Sequence, residues 1–71
     1  MKLSYKKLWI LLLERDITKA QMKTDVGIAP ATMSKLNKSE EVALPVLLRI
    51  CDYLNCDIGD ICETVRIEET D

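Results

Sequence analysis

TKAQMKTDVGIAPATMSKLN, residues 18–37, holds the signals for two helix starts with a glycine stop between them. Thr18-Lys19-Ala20-Gln21 has the form of a capping box: the Thr18 hydroxyl accepts from the Gln21 backbone N–H while the Gln21 side chain reaches back. Ile17 before the cap and Met22 after it are placed as a hydrophobic staple. A helix of about two turns follows, from Lys19 to about Asp25. Gly27 stops it, because a residue without Cβ adopts the left-handed conformation that ends a helix at little cost. Pro30 then suits the first position of a new helix, where its missing N–H has no partner to lose. That helix runs from Pro30 to about Asn37 and leans on its packing, since Ala29 is a poor N-cap. Counted from Gly27, apolar residues fall at minus five (Met22), minus one (Val26), plus one (Ile28), plus six (Met33) and plus nine (Leu36). Val26 and Ile28 plug the turn, Met22 and Met33 meet where the helices cross, and Leu36 packs on the remainder of the chain. The pattern holds two short helices at a steep angle with the second pushed outward, a geometry that lets a helix enter the major groove of DNA.

Outward from this unit the chain reads as more short helices. Residues 4–15 make a first helix with Tyr5, Leu8 and Leu12 on one face and Trp9 and Leu11 flanking them. Ile10 projects from the opposite side, so the apolar perimeter is wider than one core needs. After a polar turn from Lys38 to Glu41, a fourth helix from Leu44 to Leu54 is expected to bury Leu44, Leu47, Leu48, Cys51 and Leu54. Pro45 is tolerated in its first turn. Asn55-Cys56 breaks this helix, and Asp57 caps a short fifth one at residues 58–63, with Cys56 and Ile61 as its staple. Residues 64–71 read as an acidic tail; the alternation Val65-Arg66-Ile67 leaves open a short strand that pairs with a second copy. Tyr53 and Trp9 read as residues of the core rim, with a subunit interface as the other reading for Trp9.

Seventy-one residues make one domain, 1–71, near the lower size limit for a chain that folds without help, and such chains often gain stability from a partner subunit. Hydrophobic residues at 48%, with two Gly and two Pro, supply a small core and little loop. Cys51, Cys56 and Cys62 do not follow a zinc spacing, and there is no histidine. They read as reduced thiols of a cytoplasmic protein, at least two of them in the core, with no metal and no cofactor. Leu8 to Leu13 is too short an apolar run for a membrane span. An enzyme is not expected: no nucleophile has a matching base, no glycine-rich loop cradles a phosphate, and the chain is too short for a substrate cleft. The net charge of −2 hides an asymmetry. Residues 1–38 carry eight Lys or Arg against three acids, whereas residues 39–71 carry two Arg against nine acids. The basic half contains the outward helix and is the candidate phosphate-facing surface.

In Ile17 to Asn37 and in LPVLLRICDYLNCDIGDI, Leu44 to Ile61, the chain resembles the Cro and phage-repressor type of helix-turn-helix proteins, the xenobiotic-response-element family, in its short form. The resemblance extends to about Glu63. It implies an all-α, compact five-helix fold of the lambda-repressor kind, double-stranded operator DNA as partner, and a homodimer. By the same resemblance Pro30, Ala31, Thr32, Ser34 and Lys35 approach base edges, where Ala31 and the Thr32 methyl suit a thymine methyl and Lys35 suits guanine or phosphate. Thr18, Lys19, Asn37 and Lys38 would contact phosphate. Lys19 sits at the positive end of a helix, a poor place for a cation unless an anion approaches. The face is poor in Arg, Asn and Gln, so modest specificity per half-site is expected. One position departs from the pattern: four residues before the glycine, where the two helices approach closely and a small residue is usual, this chain has Lys23. The reading is therefore a transcription regulator, a repressor, with a dimer interface at Trp9, Ile10 and Leu11 or at the C-terminal end. The alternative is a protein-interaction module of the same fold, an antitoxin or co-regulator, supported by the acidic half and the surplus apolar surface of the first helix.

Overall fold

The computed structural model describes residues 1–66. In chain order it contains strand β1 (Lys2–Ser4), helices α1 (Lys6–Glu14), α2 (Lys19–Val26), α3 (Pro30–Asn37) and α4 (Leu44–Leu54), a 3-10 turn (Ile58–Asp60) and strand β2 (Glu63–Val65). The core takes Tyr5, Leu8 and Leu12 from the α1 region, Met22 from α2, Ile28 from the turn, and Met33 and Leu36 from α3. Leu47, Ile50, Cys51 and Leu54 of α4 and Ile61 close it from the other side. These are short helices, three turns at most, that would not persist alone; their amphipathic faces stabilise them by packing.

All four helices stop in the same way. Asp16, Gly27, Ser39 and Asn55 have φ of 60°, 79°, 58° and 52°. After each, the next amide bonds back five residues: Ile17 to the Leu12 carbonyl at 2.9 Å, Ile28 to Lys23 at 2.9 Å, Glu40 to Lys35 at 2.9 Å and Cys56 to Cys51 at 3.0 Å. This left-handed stop satisfies carbonyls that a helix end leaves without partners and turns the chain sharply. Only one of the four positions is a glycine. Polar contacts then lock the packed helices. The Arg15 guanidinium donates to the Leu54 carbonyl at the end of α4, a favourable place for a cation. The Tyr5 hydroxyl donates to the Glu40 carbonyl at 2.9 Å, and the Tyr53 hydroxyl to Asp25 Oδ2 at 2.7 Å.

The structure corrects the expected architecture at three places. Among the described residues the helices number four, not five. Asp57 does cap, with a full capping box involving Asp60, but the turn ends at Asp60 because Ile61 is drawn wholly into the core. Thr64 and Val65, both β-branched, then suit an extended chain. Second, the molecule is not all-α. Thr64 and Val65, expected in an acidic tail with a strand that pairs with a second copy left open, belong instead to a strand paired within the chain: β2 lies antiparallel to β1, with Lys2 opposite Val65, Leu3 opposite Thr64 and Ser4 opposite Glu63. That pairing takes Ser4 out of the first helix, which starts at Lys6 rather than Ser4. Lys7 braces the closure, donating to the Gly59 carbonyl at 3.1 Å and lying 3.3 Å from Glu63 Oε2. Ile67 and the remaining residues to 71 lie outside the described residues. Third, α4 buries Ile50 instead of Leu48, and Leu44 and Leu48 are 55% and 54% exposed. The stripe 47, 50, 51, 54 points at the core, so 44 and 48 fall on its outer edge.

Gly27 has open space where a Cβ would stand, so its φ alone imposes the glycine. Gly27→Ala is expected to destabilise by at least about 1 kcal/mol, and Ser39→Gly to stabilise by up to about 1 kcal/mol. Paired thermal melts of the two variants check the opposite signs. A second expectation concerns alkali. Burial, aided by the neighbouring Cys56, pushes the Cys51 thiol up from 9.0 to about 11, and burial also raises Cys56, Cys62 and Tyr5. The folded state then keeps protons that the unfolded chain releases, so this contribution is complete below pH 9 and is lost as pH rises through about 11. Urea midpoints should fall across that window, and Cys51→Ala should remove part of the slope.

Candidate nucleic-acid interface

Thr18 has an extended backbone, and its Oγ1 accepts from the Gln21 N–H at 3.0 Å, which starts α2. Met22, one turn on, is fully buried and anchors the helix. Gly27 and buried Ile28 then reverse the chain, and Pro30 opens α3. Lys23, at the position where a small residue is usual, is half-buried.

Met33 and Leu36 hold α3 to the core, at 8% and 0% exposure. The opposite side of this helix is open. Pro30, Ala31, Ser34, Lys35 and Asn37 are exposed, as is Lys38 just after it. Thr32 is half-buried and offers less of itself than its neighbours. The base-edge candidates therefore share one helix, and four of the five stand on its solvent side. Lys35 and Lys38 have no ion-pair partner among the described residues.

Thr18 and Lys19 are also exposed, at the start of α2. Lys19 and Asn37 are brought together: the Lys19 ammonium donates to Asn37 Oδ1 at 3.0 Å. The same ammonium lies 4.0 Å from the centre of the Trp9 ring. Its position at a positive helix end is thus compensated within the molecule by a π face and an amide oxygen. No spacing in the sequence signals this contact, because Trp9 and Lys19 belong to different helices. The phosphate candidates form a group running from the start of α2 to the end of α3, beside the outward face of α3. Trp9 and Leu11 pack against the core, while Ile10 is 47% and Leu13 81% exposed. Among the described residues, no helix is long and apolar enough to cross a membrane.

Comparison with known proteins agrees with this geometry. Residues 7–66 match the model of the Cro/C1-type HTH DNA-binding domain. Among solved structures, the chain is similar to a crystal structure of the transcriptional regulator VanUg, with a TM-score of 0.86 and 53% sequence identity, covering 87% of this chain and 83% of that one. No curated protein sequence matches it. The family match takes in all four helices, the glycine turn and the closing strand, and the chain belongs to the Cro/C1-type helix-turn-helix DNA-binding family.

Proposed function

We propose that this protein is a sequence-specific, double-stranded DNA-binding transcription regulator that reads the major groove with α3 and represses as a homodimer. The observation that carries the reading is the split of α3, with Met33 and Leu36 buried beneath and Ala31, Ser34 and Lys35 exposed above. Backbone contacts from Thr18, Lys19, Asn37 and Lys38 would set the register, while Pro30, Ala31, Thr32, Ser34 and Lys35 would meet base edges. The described residues largely serve to hold and present α3, which fits a regulator that acts by occupying its site, and hence repression where that site overlaps a promoter. The similarity to a solved transcriptional regulator supports this reading. The proposed compartment is the cytoplasm, where Cys51, Cys56 and Cys62 would stay reduced. For dimerisation, the outer ridge of α1 is the favoured surface. Ile10 and Leu13 stand exposed there, and an antiparallel pairing about Ile10 sets Lys6 against Glu14 of the partner subunit. A second reading, a protein-binding module, draws on the exposed Leu44 and Leu48 of α4.

A mobility-shift titration against genomic fragments tests the two readings. For four to six phosphate contacts per dimer, log affinity should fall against log salt with a slope of about −4 to −5. A response flat in salt would exclude docking on the DNA backbone. Sedimentation with and without the bound fragment tests the dimer, and a monomer in both conditions would remove it.

The reading helix has its own test. Thr32→Ala and Lys35→Ala leave Met33 and Leu36 in place and should change stability by less than about 0.5 kcal/mol. Each lost base contact should cost about 1–3 kcal/mol of binding and blur preference at one operator position. Met33→Ala, by contrast, should lose roughly 2–5 kcal/mol of stability and bind poorly through unfolding. A folded double variant, Thr32→Ala with Lys35→Ala, that discriminates sites as well as the parent would show that α3 is not the reader.

A further inference from the structure

Lys19 is the first residue of α2, where the unpaired N–H groups of the helix already present positive charge. A lysine there ordinarily swings into water, since its four-carbon stem has many rotamers. In this fold its ammonium is instead caught between two other helices, over the Trp9 ring of α1 and against Oδ1 of Asn37, the last residue of α3. An ammonium has three N–H donors and no acceptor. The ring face and one amide oxygen do not exhaust those donors, so at least one N–H remains for an oxygen from outside. Facing a pure donor also fixes the Asn37 amide: its oxygen turns to Lys19, and its NH₂ turns away as a further donor.

We propose that Trp9 is a positioning residue for the DNA interface, holding the Lys19 ammonium at the junction of α1, α2 and α3 so that it meets a backbone phosphate already oriented. This rests on the reading of the protein as DNA-binding and adds to it a role for an α1 side chain outside the helix-turn-helix. The gain comes from preorganisation: a pinned lysine has little rotamer freedom left to lose on docking. The ring acts through Lys19 and needs no contact of its own with DNA. The tie also links the start of α2 to the end of α3, so the donor that sets register and the helix that reads bases keep a fixed relation.

The experiment is a double-mutant cycle with the full chain and a short fluorescent duplex of mixed sequence, on which binding is carried by phosphates. Trp9→Leu keeps apolar bulk and removes the π face, and Lys19→Met keeps length and removes the charge. Trp9→Leu is expected to weaken binding about two- to fivefold in the parent and not at all in the Lys19→Met background. Trp9→Phe, which retains a π face, should recover most of the loss. Circular dichroism at the assay temperature confirms that each variant is folded. Equal losses in both backgrounds, or none in either, would overturn the positioning role while leaving DNA binding intact. A parent that does not bind the duplex at all would overturn both readings together. If Trp9→Leu does not fold, the single tryptophan of the parent carries the test. Titration with the duplex should change its emission, and Lys19→Met should abolish that change. Emission that does not respond in the parent, or that responds equally in Lys19→Met, overturns the proposal.

Discussion

Met33 and Leu36 are the two side chains by which the third helix is buried in the core. A helix of eight residues does not persist in water, and burying a side chain of this size contributes about 1.5–3 kcal/mol. Everything displayed on the opposite face depends on that anchorage. With the inner face of the helix fixed, Ala31, Ser34 and Lys35 project together into solvent. The outer face is free to vary in chemistry because it contributes little to the fold, so anchorage and surface chemistry fall to different residues.

The turns impose the second constraint. Four left-handed stops, each followed by an amide bonded back five residues, let four helices pack within a short chain. Three of these stops use residues with a Cβ and carry some conformational strain. Packing around them offsets it: Ile17, Ile28 and Cys56, each immediately after a stop, lie in or against the core. The pairing of β1 with β2 finishes the molecule by tying its first strand to the segment after the last helical turn, with Lys7 bridging both Gly59 and Glu63.

Charge is distributed with the same economy. Of the eight cations in the first 38 residues, Lys7, Arg15 and Lys19 are engaged inside the fold, with a carbonyl and a carboxylate, with the end of α4, and with Trp9 and Asn37. Lys35 and Lys38 stand exposed at the end of α3. The basic half is thus partly structural. Lys2 and Lys6 are exposed as well, at β1 and the start of α1, and for attracting a polyanion the local charge at α3 matters more than the net charge of −2.

Local chemistry along the chain sets the helix-turn-helix and its anchors. Thr18, Gly27, Pro30, Met22, Met33 and Leu36 each act through local chemistry (a cap, a left-handed φ, a fixed φ, a buried face at helical spacing) that needs no knowledge of distant residues. The face of α3 was legible for the same reason, since helical periodicity assigns inside and outside once Met33 and Leu36 are placed. Contacts between segments far apart in the chain were not legible. Lys2–Ser4 is too short to show an alternation, and it becomes a strand only because Glu63–Val65 lies beside it. The last turn stops at Asp60 because the core claims Ile61. Leu48 and Ile50 are both apolar, and only the final angle of α4 against α1 and α2 decided which would be buried. Lys19 reads in the sequence as a bare cation at a helix start. Its place over Trp9 and beside Asn37 arises only where three helices meet, because a π face and an amide oxygen from other elements become its partners only after the chain has packed.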